Sequence, residues 1–476
     1  MTKQIIGRSA EVAILERLLK SDQPELLAIY GRRRIGKTFL IQKYYERQMI
    51  FSCSGELGGN LKVQLANFVL QLNVWFPKDQ LVLAPNNWQE AFVLLRQRIE
   101  QCTSKEKKVL FFDELPWLDT HKSGFISAFG YFWNMYLASR SDIIVVICGS
   151  AASWMIKKIV NNRGGLHNRI TQRIQLKAFD LNETKAYLKS RSIHLTDYQV
   201  LQLYMITGGV PHYLNGVQRG SSLQQAIDEM CFSVNGVLVN EFQNLYSALF
   251  HNFDYHLRVI KTLAKKQKGL TRSEIVSLGN LVSGGGLTTV LEELEQSGFI
   301  EKMEPFDLKK KEGIYRLVDE FSLFYLKFLH DRSKKDNWET ISKTSVYVSW
   351  CGYAFENICL KHITQIKKAL GVSGVNTVYG SWYKAGTKQS DGAQIDLLLD
   401  RRDNVVNIFE IKFSNRPYTI DKKYSRELQQ KIGVFREAVS ENKAIFLTLI
   451  TTFGVTDNVY KKEVVDKEIT MEALFE

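Results

Sequence analysis

The residues best equipped for chemistry are Gly31-Arg32-Arg33-Arg34-Ile35-Gly36-Lys37-Thr38, which have the spacing G-x-x-x-x-G-K-S/T. Glycines at both ends let a loop wrap closely enough for backbone N–H groups to point at phosphate oxygens. Lys37 would then reach the β- and γ-phosphates of a nucleoside triphosphate, and Thr38 would ligate Mg²⁺. Downstream, the apolar run Val109–Phe112 ends in the carboxylates Asp113 and Glu114. Beside such a loop, Asp113 would hold Mg²⁺ through water and Glu114 would polarise an attacking water. This predicts ATP hydrolysis rather than binding alone. A further apolar run ends Cys148-Gly149-Ser150, placing Ser150 as a polar sensor of the γ-phosphate. Between Asp142 and Asp180 there is no carboxylate, whereas Lys157, Lys158, Arg163, Arg169, Arg173 and Lys177 occur. One of them would supply a cation to the transferring phosphoryl group, unless the segment is simply a solvated basic face.

A second group of chemically suited residues lies near the C-terminus. Gln394–Leu399 and Val406–Phe413 read as two strands around the turn 401–404, with Glu410 and Lys412 on one face. An antiparallel register with an odd-length loop places Asp396 opposite Glu410, and a slip of one residue would separate them. Facing carboxylates can hold Mg²⁺ while a lysine orients water or steadies a phosphodiester. The alternative is an ordinary cross-strand ion pair. Against it, the charges sit among Ile408, Phe409, Ile411 and Phe413, where an idle buried charge is costly.

These groups need elements to position them. Val12, Ile14, Leu15, Leu18 and Leu19 have helical spacing, and Leu26–Tyr30 reads as a buried strand running into the glycine-rich loop. With Val109–Phe112 and Ile143–Ile147 as further doubly apolar strands, residues 1–180 are expected to form a parallel sheet covered by helices. Residues 181–250 read as a helical lid. Over 251–330 come the helix Tyr255–Ala264, a second helix opened by Thr271 with Glu274 as capping partner, and a third over 287–296. A hairpin with Lys309-Lys310-Lys311 at its tip follows, which is the order of a winged helix-turn-helix. It would contact DNA through the third helix and the lysines. The rival is an interdomain or protein-contact module, because Glu292, Glu293 and Glu295 on that helix would repel a phosphate backbone. Residues 331–476 form the last unit: a helix near 348–370, strands near 394–414, a helix near 421–439 and a strand at Lys443–Thr451.

The chain has 476 residues, enough for several cores, and only seven prolines, so short linkers are expected. A net charge of +13 favours anionic partners such as nucleotides and nucleic acid, DNA foremost. Six scattered cysteines make neither a C-x-x-C pair nor a disulfide framework. The N-terminus has no signal-peptide core and no apolar run reaches membrane-spanning length, so a cytoplasmic protein without membrane partners is expected.

Ile6-Gly7-Arg8, the glycine-rich loop, Asp113-Glu114, Gly149-Ser150, Asn168-Arg169 and Thr207-Gly208-Gly209-Val210-Pro211 together resemble the archaeal-type ATPases of the AAA+/STAND-like P-loop group. That resemblance implies a lid in which Pro211 borders the nucleotide base. It also singles out Arg169 as the phosphate-sensing or finger arginine. It extends through the winged helix and the stretch Tyr315–Phe328. Glu356, Asp396 and Glu410-x-Lys412, followed by a helix bearing Lys422, Lys423, Gln429 and Lys431, resemble the PD-(D/E)XK nuclease superfamily, which implies a restriction-endonuclease-like α/β domain with Glu356 assisting the metal site.

The fold expected is therefore multidomain α/β: ATPase core 1–180, helical lid 181–250, winged helix 251–330 and nuclease-like domain 331–476. The leading functional expectation is an ATPase coupled to a metal-dependent nuclease. The rival is a nucleotide-controlled switch that binds DNA or a protein partner without cutting. A third is a ring-forming motor, in which Arg169 acts across the interface of a homo-oligomer.

Overall fold

The computed structural model describes all residues except 1–3, 78–83, 105, 162–163, 167, 251, 304–305, 307–312, 333–336, 385, 387–391 and 439–442. The chain divides into two compact units, Met1–Ala178 and Phe179–Glu476.

The first unit is built on a five-stranded parallel sheet of β1 (Glu25–Tyr30), β2 (Met49–Ser54), β3 (Lys108–Asp113), β4 (Ile143–Gly149) and β5 (Gln172–Gln175), in the order β2-β3-β4-β1-β5. Every residue of β3 and β4 is buried, as continuous apolar runs require of strands covered on both faces. One face packs Leu27, Ile29, Phe111 and Val146 against Leu15, Leu18 and Ile41. The other packs Phe112 and Ile147 against an aromatic group that includes Phe68, Trp88, Phe92 and Phe129. The stack of Phe92 on Phe132, with centroids 5.0 Å apart, belongs to this group. All five strands run parallel, so the carboxyl ends of β1, β3 and β4, which are neighbours in the sheet, lie along one edge, the usual ligand position in such sheets.

The second unit begins with helices. Asp180, Thr196 and Ser222 each cap one through a capping box, with Glu183, Gln199 and Gln225 completing them. A three-stranded sheet follows, in the order β6-β8-β7, from β6 (Leu270–Thr271), β7 (Ile300–Met303) and β8 (Ile314–Leu317). It is accompanied by the helices Phe253–Ala264, Arg272–Gly279 and Gly285–Gln296. Thr271 and Glu274 form the expected capping box. Lys309, Lys310 and Lys311 lie outside the described residues.

The last segment runs from the helix Ser345–Lys361 through β9 (Thr377–Lys384), β10 (Ala393–Arg401) and β11 (Val405–Lys412) to the helix Lys422–Ala438, β12 (Ala444–Thr451) and β13 (Lys467–Thr470). Neighbours pair antiparallel from β9 to β11 and parallel from β11 to β13. Ile408, Leu398 and Leu447 pack with Leu428 and Phe435 of the helix Lys422–Ala438, which fixes that helix over the sheet.

Candidate functional site

The glycine-rich loop is shaped by two backbone conformations that side chains resist. Gly31 has φ +149°, and a Cβ there would stand 2.2 Å from the Leu176 carbonyl oxygen; Gly36 has φ +90°. Lys37 opens the helix Lys37–Tyr44, and its Nζ donates to the carbonyl oxygens of Gly31 and Arg32, both at 2.9 Å, closing the loop on itself. Ile35 is buried, and its carbonyl accepts from the buried Arg8 guanidinium at 3.2 Å. Arg33 lies over the Trp117 ring, and Arg34 takes a left-handed φ of 72°. Thr38 Oγ1 donates to Asp113 Oδ2 at 2.7 Å, while Asp113 Oδ1 accepts from the Glu114 N–H at 3.0 Å. Glu114 Oε2 accepts from both the N–H (3.0 Å) and the Oγ (2.8 Å) of Ser150. Loop, β3 end and β4 end are thus linked through the side chains of Thr38, Asp113, Glu114 and Ser150. A hydroxyl and a carboxylate oxygen in contact form a hard-oxygen donor set that fits Mg²⁺.

In the C-terminal sheet the last β10–β11 pair is Leu397 with Phe409, so Asp396 and Glu410 are the next positions along the facing strands. A register shift against β9 falls between Ile395 and Leu398 and brackets Asp396. Such a bulge re-aims the side chain it carries. Glu410 is buried, and both oxygens are engaged. Oε1 accepts from Tyr424 (2.6 Å) and contacts Lys412 Nζ (2.9 Å), and Oε2 contacts Lys431 Nζ (2.6 Å). Burial raises its pKa, but Lys412 and Lys431 outweigh burial and bring it down to about 2. Lys412 is shifted upward: burial opposes its charge and Glu410 overcomes that opposition. Glu356, on the helix Ser345–Lys361, is pushed up to about 7 by burial and then by the charge of Asp396. Asp396 itself accepts from Gln394 at 2.9 Å and faces Lys268 at 3.9 Å. Among the described residues no group of three or more His, Cys, Asp or Glu is gathered to hold a metal ion. As arranged, the carboxylates are held by cations and amides, and they do not fit a metal.

Residues 6–217 match the family described as an ATPase domain predominantly from Archaea. The chain carries an archaeal-type P-loop ATPase domain. An uncharacterized protein of Methanocaldococcus jannaschii is 24% identical over 434 residues, covering 90% of this chain and 91% of that one. An uncharacterized ATP-binding protein of the same organism is 42% identical over 45 residues, 10% of this chain and 76% of that one. Among solved structures, the Walker-type ATPase of Pyrococcus abyssi superposes with a TM-score of 0.51 at 17% identity, covering 68% of this chain and 96% of that one. The fold is that of a P-loop ATPase core followed by a helical lid and a winged-helix region. No helix among the described residues is long and apolar enough to cross a membrane.

Within the ATPase domain, the structure brings Gly31–Thr38, Asp113, Glu114 and Ser150 together. Arg169 does not join them by any contact among the described residues: it is exposed in a turn where its N–H donates to Leu166 (3.1 Å). Arg163 lies outside the described residues. Pro211 belongs to the second unit, at the start of the helix Pro211–Leu214. Ahead of it Gly209 packs so tightly that a Cβ would stand 2.1 Å from the Phe179 carbonyl oxygen. Sequence reasoning missed Tyr424 as a ligand of Glu410, although Tyr424 and Lys431 are two helical turns apart and so share a face. It also missed Lys268, which stands 3.9 Å from Asp396, and Arg316, which donates to Asn357 beside Glu356 in the chain.

Proposed function

We propose that this protein is an ATP-hydrolysing switch whose second unit engages nucleic acid, DNA foremost. The observation that carries the reading is the contact of Thr38 with Asp113 at the mouth of a loop closed by Lys37. Mg²⁺ held by Thr38 and, through water, by Asp113 would offset the charge of the β- and γ-phosphates. The backbone N–H groups of Gly31–Lys37 cradle the phosphates, with Arg32, Arg33, Arg34 and Ile35 forming the loop wall. Lys37 turns from the loop carbonyls to the β- and γ-oxygens. Glu114 orients the attacking water, and Ser150 fixes the Glu114 carboxylate so that one oxygen stays directed to that water. Arg169 becomes a finger when another subunit or a lid movement brings it in, and Pro211 borders the base. A soluble cytoplasmic setting and a homo-oligomeric assembly belong to the same proposal.

A second reading, phosphodiester cleavage by the C-terminal sheet, is favoured by one observation. The element order helix, three antiparallel strands, helix, parallel strand supports it, together with Lys412 held 2.9 Å from Glu410 on one strand. Glu356, Asp396 and Glu410 would form its acidic side, and Lys412 would steady the phosphodiester charge.

One experiment separates the two: ATP hydrolysis, and cleavage of single- and double-stranded DNA and RNA with Mg²⁺ or Mn²⁺, in wild type, Lys37→Ala and Lys412→Ala. Hydrolysis lost only in Lys37→Ala, with no substrate cut, is the outcome expected of a switch. Cleavage that disappears in Lys412→Ala establishes the nuclease instead, and hydrolysis unaffected by Lys37→Ala refutes the ATPase site.

A further inference from the structure

Glu410 holds two lysines on one carboxylate. Lys412 Nζ stands 2.9 Å from Oε1 and Lys431 Nζ 2.6 Å from Oε2, and the Tyr424 hydroxyl donates to Oε1 at 2.6 Å. One lysine would neutralise the carboxylate, so the second leaves a surplus positive charge. The charges are also layered. The Glu410 side chain is 10% exposed, whereas those of Lys412 and Lys431 are 30% and 24% exposed. Water therefore meets the ammonium groups, and the carboxylate lies behind them. A carboxylate that fixes two long side chains in advance removes rotamer entropy that a ligand would otherwise have to overcome. The neighbouring carboxyl groups do not cancel the surplus. Asp396 has its own cation in Lys268, 3.9 Å away, and the Gln394 amide at 2.9 Å. Glu356 is pushed up to about 7, by burial foremost, so a large share of it is uncharged at neutral pH.

The surroundings suit an anion as well. Lys412 ends β11, and β11, β12 and β13 are parallel, so it stands at the carboxyl ends of parallel strands, where open α/β sheets take their ligands. The loop that leaves β11 is fixed to its neighbour after β12. The Ser414 N–H donates to Thr452 Oγ1 at 3.0 Å, the Tyr418 N–H to the Gly454 carbonyl at 2.8 Å, and the Thr456 N–H to the Tyr418 carbonyl at 2.8 Å. Lys412 Nζ lies 5.0 Å from the centre of the Tyr424 ring and 6.0 Å from that of Tyr418, cation–π contacts that hold it in place. Residues 410–431 contain six lysines and arginines against three acidic residues, and Arg416, Lys422, Lys423 and Arg426 among them are exposed.

We infer that Lys412 and Lys431 form a metal-free seat for one phosphodiester group of a nucleic-acid backbone, with Glu410 and Tyr424 as positioning residues that hold the two ammonium groups. The seat binds the phosphate and breaks no bond. The inference rests on the leading reading above, in which the second unit engages nucleic acid.

The test reads the affinity of the full chain for a fluorescein-labelled DNA duplex by anisotropy at a series of salt concentrations, with EDTA and without nucleotide. Replacing both lysines, Lys412→Gln with Lys431→Gln, should weaken binding by about tenfold and reduce the log–log salt slope by about 0.9, the share of one phosphate. Lys343→Gln with Lys368→Gln removes two exposed lysines that face surface acids, and should leave affinity and slope nearly unchanged. Glu410→Gln keeps the shape of the side chain and deletes its charge, so it should tighten binding severalfold, which neither a metal ligand nor a purely structural residue would do. Circular dichroism checks that each variant is folded, and the double lysine variant carries the test if Glu410→Gln is not. Equal losses in the two double variants, weaker or unchanged binding by folded Glu410→Gln, or binding that requires Mg²⁺ overturns the seat and leaves the nucleic-acid reading standing. No salt-dependent binding by the wild type overturns both.

Discussion

Glu114 and Ser150 show how much a single side chain is asked to do at the nucleotide site. Glu114 sits in a left-handed conformation, φ 45°, directly after a strand end, which turns its carboxyl across to β4. There Ser150 supplies two hydrogen bonds to one oxygen. Two donors to one carboxylate oxygen orient the group, and the other oxygen is the one available to a water. Glu114→Gln should therefore lower the ATP turnover number by on the order of 100-fold, while nucleotide affinity stays within about threefold. Ser150→Ala keeps the backbone donor and loses the hydroxyl, so its loss should be about tenfold. Steady-state hydrolysis with titration of a fluorescent ATP analogue measures both. If Ser150→Ala weakens binding and spares turnover, Ser150 senses the phosphate and does not orient Glu114.

At the scale of elements, β3 and β4 are tied at the end away from the phosphates by a charged clamp. Asp142 Oδ1 and Oδ2 accept from Arg140 Nε and Nη2, both at 2.7 Å, and Oδ2 accepts from the buried Lys108 Nζ at 3.0 Å. Arg140 foremost, against the cost of burial and with help from Lys108, holds the Asp142 carboxyl well below its ordinary range. The folded pKa is depressed, so the stability it contributes is complete above the unfolded value of about 4 and is lost as pH falls below it. Asp142→Asn should cost about 1–3 kcal/mol at pH 7, mostly because Lys108 is left buried without its counter-charge. The gap to wild type should narrow below pH 4 in urea denaturation, and a gap that stays constant across pH would rule out the charge. Elements of this kind were legible in the sequence where the signal is local. Continuous apolar runs gave β3 and β4, Thr271 and Glu274 gave a helix start, and an odd-length loop gave an antiparallel register of the kind seen at Leu397 and Phe409, one position short of Asp396 and Glu410. The bulge around Asp396 was not legible, because it arises from pairing with β9, which carries no motif. Nor was the approach of Arg316 to Asn357, 41 positions apart, since nothing in Ile314–Leu317 distinguishes an arginine facing inward from one facing water.

For the whole molecule the open question is how a net charge of +13 is used. Several of the described charges of the winged-helix region are engaged internally: Glu293 pairs with the buried His256 at 2.8 Å, Lys266 with Glu274 at 2.8 Å, Lys268 stands 3.9 Å from Asp396, and Arg316 donates to Asn357. A module whose charges serve its own fold and its neighbour is built for contact within the protein more than for reading a duplex, which the acidic helix Gly285–Gln296 would in any case repel. The excess positive charge then acts from other surfaces, as a distributed attraction for a polyanion. Double-stranded DNA affinity, read by fluorescence anisotropy between 50 and 200 mM salt, should fall with a log–log slope of about −4, the mark of some four or five neutralised phosphates. Replacing Lys309, Lys310 and Lys311 together by alanine should move that slope by less than about one. A loss near three would mean the three lysines each neutralise a phosphate, and the winged helix would be a DNA-contacting wing after all. A slope near zero in the wild type would instead remove nucleic acid from the partners that charge recruits, leaving a protein partner for the switch.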